Sequence, residues 1–190
     1  MIRLRSLTSF AALLAGLAIP ALGVEATASA APGEWEAFHN EFSFVEEDSC
    51  GVPGLTLEQV FVVDGRSKVT VHGPDGMHYY AALEQVARTV TNVATGESVT
   101  QVIDLRFADL KVTDNGDGTS TIISQRPARV VYLQDGRVIA RGATLVRFEA
   151  LWDNGGTPTD PYDDEFLEEV IIKDVGNPAD FCATVIQAVG

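Results

Sequence analysis

The sequence predicts an all-β fold: an antiparallel meander of about eight strands closing into a β-barrel, with a short C-terminal helix. Two observations predict it. Between Arg88 and Trp152, four runs rich in Val, Ile, Thr, Leu and Phe are separated by Thr95-Gly96-Glu97, Asn115-Gly116-Asp117-Gly118 and Asp135-Gly136-Arg137. Turn cues of this kind between β-branched runs mark consecutive hairpins. The connections are also short and follow chain order, which favours pairing of sequential strands and a barrel over a two-sheet sandwich.

The elements follow in order. Met1–Ala30 has the parts of a secretory signal: basic Arg3 and Arg5, an apolar run from Leu7 to Ile19, the breakers Pro20 and Gly23, and small residues at Ala28-Ser29-Ala30. Cleavage is expected after Ala30, with Ala31 as the second choice. The apolar run is short for a membrane-spanning helix, no Cys follows it to carry a lipid, and no later stretch is long and apolar enough to span. The expected mature protein is secreted and soluble, with no membrane insertion.

Residues 31–41 (APGEWEAFHNE) read as a loose lead, and 42–190 as one domain. Phe42–Glu46 alternates apolar and polar residues as a strand. Leu55–Val63 follows with Leu55, Leu57, Phe61 and Val63 on one face at period two and Gln59 the exception. Asp64-Gly65-Arg66 reads as a turn into Lys68–His72, and Gly73-Pro74-Asp75-Gly76 as the next turn. Met77–Ala87 contains helix formers at Ala81–Gln85, yet Tyr79-Tyr80 and its β-rich context favour an extended reading. In the meander, Val102, Ala108, Leu110 and Val112 share one face, and Val99, Ile103, Leu105 and Phe107 the other. Two apolar faces imply a bulge or burial on both sides. Pro127 points to an edge, a bulge or a new strand. After the polar loop Asp153–Glu165, Phe166–Val175 suits a strand. Asn177 as N-cap with Pro178 in the first turn then predicts a helix over Ala179–Val185.

Composition narrows the function. The formal charge is −14, and loss of residues 1–30 removes two Arg and one Glu, leaving 160 residues at −15. Such a surface argues against nucleic acid, whose phosphates require Lys and Arg, and against charge-driven binding to anionic membranes. Cys50 and Cys182 are the only cysteines. In an exported chain they are expected to form a disulfide closing nearly the whole domain, and the absence of Cys-x-x-Cys spacing argues against a redox pair.

Five constellations bear on chemistry. Asp114-Asn115-Gly116-Asp117-Gly118 looks like a calcium loop, but the required register puts Thr113 and Ser124 at ligand positions, so a hairpin turn is the better reading. Asp153, Asn154, Asp160, Asp163, Asp164 and Glu165 form an acidic loop without recognised calcium spacing. His72 and His78 flank one turn and lack a third ligand, while His39 lies in the lead. There is neither a G-x-S-x-G elbow nor a Gly-rich phosphate loop, so no catalytic, cofactor or metal residue is assigned. Phe61, Tyr79, Tyr80, Phe107, Tyr132, Phe148 and Trp152 are expected either to line an apolar cavity in the barrel or to pack its core.

The segments TNVATGESVT (91–100), KVTDNGDGTSTI (111–122), GGTPTDPYDDEF (155–166) and DFC (180–182) resemble small secreted proteins of actinobacteria. The resemblance covers residues 40–185 and implies export and a β-barrel, with no activity to transfer. A more distant likeness to lipocalin-like and allene-oxide-cyclase-like barrels concerns the fold alone. The expected function is non-enzymatic binding of a small apolar or amphipathic ligand. The alternatives are an extracellular surface or matrix interaction module with a solid core, and a barrel isomerase or cyclase.

Overall fold

The computed structural model describes residues 33–160 and 163–190. The expected signal Met1–Ala30 lies outside them. The element order is β1 (Glu36–Glu46), a single 3-10 turn (Ser49–Gly51), β2 (Leu57–His72), β3 (Met77–Asn92), β4 (Ser98–Asp114), β5 (Thr119–Gln134), β6 (Arg137–Asp153), β7 (Glu165–Asn177) and α1 (Phe181–Val189). All seven strands form one antiparallel sheet in chain order. The sheet is not closed: β1 and β7 are its two edges.

The count falls to seven because Asp64-Gly65-Arg66, expected as a turn, lies inside β2. There Asp64, Gly65 and Arg66 pair with His39, Phe38 and Ala37 of β1. The Phe38 ring occupies the space a Cβ on Gly65 would take, so an aromatic from the neighbouring strand covers the glycine and holds it extended. The same pairing places Glu36–Glu41 in β1, where a loose lead was expected. Met77–Ala87 is extended, as the first half of β3.

Side chains alternate between two faces. On the inner face Leu57, Gln59 and Phe61 of β2 stand opposite Asn92, Val90 and Arg88 of β3. Those continue into Val99 and Gln101 of β4 and Tyr132 of β5. The Phe107 and Phe148 ring centroids are 5.9 Å apart although β5 lies between their strands, so the sheet curves towards this face. The β4–β5 register shifts between Asp109 and Lys111. This bulge at Leu110 brings Val112 round to stand opposite Ile122, on the face of Phe107, which explains the two apolar faces read from the sequence. The same ladder skips Arg126 and Pro127, where proline has no N–H to donate.

Helix α1 closes one end of the inner face. Val185 and Val189 are fully buried and pack in one cluster with Leu57, Val90, Val99 and Tyr132. The helix starts two residues later than the sequence predicts. Asn177 is still paired with Ala143 in β7, and the N-cap is Asp180, whose carboxylate accepts the Ala183 N–H at 2.8 Å. The helix carries Cys182 back to Cys50 on the 3-10 turn, and the two form a disulfide with Cα atoms 5.4 Å apart. No helix among the described residues is long and apolar enough to cross a membrane.

Candidate functional site

The inner face carries a polar chain that periodicity did not single out. Arg88, 6% exposed, donates from Nε and Nη2 to Gln59 Oε1, and from Nη1 to Gln101 Oε1 at 3.5 Å. Gln59 Nε2 donates to Glu46 Oε2 at 2.9 Å, and Gln101 Nε2 donates to the hydroxyl of fully buried Tyr132. The Arg88 guanidinium lies 5.1 Å from the Phe61 ring centroid and 3.8 Å from that of Phe181 on α1. Burial pulls its pKa down to about 10, against the attraction of Tyr132 and Glu46, and burial pushes Tyr132 up to about 12. Every member of this chain is engaged with another. It ties five strands and the helix together, and it is a structural network.

The middle of the same face is different. Tyr80, Phe107 and Phe148 form an aromatic strip, with Tyr80 and Phe107 centroids 5.6 Å apart. Tyr80 remains 40% exposed. Asp109 accepts the Tyr80 N–H at 2.7 Å and the Ser124 hydroxyl at 2.6 Å where the β3 and β4 ladders part. Burial raises its pKa against those two bonds. Glu84 is raised by burial alone, and Arg126 on β5 opposes the shift. The period-two run Ala82, Glu84, Val86, Arg88, Val90 is a sequence signal that places charged residues on an otherwise apolar face. Only the register brings Arg126 near Glu84.

The expected lining residues divide. Phe61, Tyr80, Phe107, Tyr132, Phe148 and Trp152 share the inner face, with Phe61, Tyr132 and Phe148 buried. Tyr79 stands on the outer face, its ring edge-on to His72 and its hydroxyl accepting the Val112 N–H. A shallow groove of about 300 Å³ also lies on the outer face, over Ala81, Leu83, Ala108 and Pro127 beside Trp35 and Arg106.

The other candidates resolve individually. Asp114 and Asp117 accept backbone N–H groups within their own hairpin, from Gly116 and Thr119. His72 stands opposite Met77, and His78 opposite Val71. The two imidazoles therefore point to opposite faces. His39 is paired with Asp64 at 2.7 Å and Glu41 at 3.2 Å, which raise its pKa. In the acidic loop, Asp153 accepts the Gly155 N–H and Asp163 the Thr157 hydroxyl. Burial and then the repulsion of Asp163, Asp160 and Asp153 raise Asp164. Among the described residues, no three His, Cys, Asp or Glu side chains converge as a metal site.

The chain is thus an open, seven-stranded antiparallel meander capped by one disulfide-tethered helix. Comparison with family models, curated proteins and solved structures finds no match.

Proposed function

We propose that this protein is exported and binds a small amphipathic ligand on the inner face of its sheet, without catalysing a reaction. The observation that carries the reading is the half-filled middle of that face. Helix α1 occupies one end, and the other end carries residues 153–160, whose Asn154 N–H donates to Gly118 at the β4–β5 turn. Between them lies the Tyr80–Phe107–Phe148 strip, with Tyr80 still 40% exposed, and Phe166 of β7, 51% exposed, borders the loop end opposite Trp152. A concave, mostly apolar surface holding a few placed polar groups is the usual form of a small-molecule site. In this reading the sheet is a barrel open along the β1–β7 seam, used in a lipocalin-like way. The signal-like N-terminus and the disulfide support export.

Native mass spectrometry of the protein secreted by its own host tests this. The expected result is the mass of residues 31–190, less two hydrogens, with a stoichiometric small molecule released on denaturation. A bare protein refutes the carrier reading.

A second reading, an extracellular interaction module, is favoured by β7. Leu167, Val170, Ile171, Ile172 and Val175 are all exposed along this free edge, and apolar edge strands of this length recruit partners. Sedimentation showing association that Ile171→Lys abolishes would favour it over the carrier.

A further inference from the structure

The inner face holds two arginines in different states. Arg88 has its guanidinium covered by Phe181 and spent on Gln59 and Gln101. Arg126 is partly exposed and makes no hydrogen bond or ion pair among the described residues. The acid it influences is Glu84, which lies beyond ion-pair contact. The register explains the separation. Glu84 pairs with Leu105 of β4, and Leu105 with Ala128 of β5. Arg126 is two residues from Ala128 on the same face, so one strand and one diagonal step divide the two charges.

Next to Arg126 is the aromatic strip. Phe148 stands opposite Ser124 and Val146 opposite Arg126, and the Phe107 ring meets Phe148 across β5. A planar guanidinium with unused donors, set beside half-buried Phe107 and buried Phe148, offers a fork for a carboxylate and a floor for an apolar body. On the convex face Arg106, Arg129 and Arg141 are exposed to water, and the half-buried Arg147 donates to Gln125.

We propose that Arg126 is the anion anchor of the inner-face site and that the ligand is an amphipathic carboxylic acid lying along Phe148, Phe107 and Tyr80. The inference rests on the inner face being the ligand site. Glu84 faces the same space, together with Arg126 from β5, Asp109 from β4 and the Tyr80 phenol from its own strand. Ionised Glu84 repels the ligand head and protonated Glu84 does not, so affinity rises as the pH falls towards the titration of Glu84, until the ligand's own carboxyl protonates.

The test is a fluorescence titration of the mature, disulfide-bonded protein with 11-(dansylamino)undecanoic acid and with its neutral methyl ester. The acid is expected to bind roughly tenfold or more tightly than the ester, the scale of one charge-assisted contact. Arg126→Gln should erase that preference and leave the ester's affinity unchanged, which also shows that the variant is folded. Arg126→Lys should retain part of it. Arg129→Gln, on the outer face, should change neither ligand. Glu84→Gln should tighten the acid at neutral pH, and Phe107→Ala should weaken both. Equal affinity for acid and ester, or an acid preference that survives Arg126→Gln, overturns the anchor. If both ligands still bind and Phe107→Ala weakens them, the inner-face reading stands without it. If neither ligand binds, both fall.

Discussion

Removing the disulfide is the perturbation whose size the structure sets most directly. Cys50 and Cys182 are 132 residues apart in sequence. Closing a loop of that length costs the unfolded chain about 5 kcal/mol of conformational entropy in the chain-entropy model. The native state depends on the bond as well, because α1 has only nine residues and is too short to be helical alone. Its docking rests on Val185 and Val189, each worth about 1.5–3 kcal/mol when fully buried. Without the tether that docking must oppose the full freedom of the C-terminal segment. A Cys50→Ala/Cys182→Ala variant is therefore expected to lose about 5 kcal/mol. At about 2–4 °C per kcal/mol for a chain of this length, the Tm should fall by about 10–20 °C. Guanidinium denaturation should also show a larger m-value, since the untethered chain exposes more surface on unfolding. A variant melting within about 3 °C of the parent, with an unchanged m-value, would refute the reasoning.

Two further outcomes follow from the strands. Gly65→Ala forces the Phe38 ring off β2 and should cost about 1–3 kcal/mol as overpacking; in a Phe38→Ala background the cost should largely disappear, and additive losses in a denaturation double-mutant cycle would count against the contact. Burial holds the Glu84 carboxyl above its ordinary value, so the folded state binds the extra proton and the chain loses stability as the pH rises from the ordinary carboxylate range through the folded pKa. Glu84→Gln is expected to stabilise the protein at pH 7 and not at pH 4, as read by denaturation at both values, and a pH-independent difference would contradict that assignment.

What was legible in the sequence depended on whether local chemistry or a distant partner decides the backbone. Asp135-Gly136 and Asp64-Gly65 are the same dipeptide in similar surroundings. The first turns, with φ of 50° and 73°, and β5 pairs directly with β6 around it. The second runs straight, because Phe38 of an unforeseen extension of β1 covers the glycine. Only the fold brings Phe38 there, 27 positions away by sequence number. The terminal helix shows the same competition: Asn177-Pro178 has cap chemistry, yet pairing with Ala143 keeps Asn177 in β7, and Asp180 takes the cap. For the site, the aromatics of the inner face were legible by type. Tyr79 was misplaced among them by ambiguity about β3. The proximity of Arg126 to Glu84 depends on two successive strand registers that no local pattern encodes.

The passage of β2 straight through Gly65 has a consequence for the whole sheet. Had the chain turned at Asp64–Arg66, an eight-stranded meander would result, and its first and last strands would run antiparallel, ready to close. Seven strands in alternating directions leave β1 and β7 parallel to each other. The seam between them is flanked by Phe42 and Phe44 on one side and Phe166 and Ile171 on the other, all exposed. In the proposed function this opening is the route to the aromatic strip. One covered glycine thereby sets the strand count, and the strand count sets the direction of the edges.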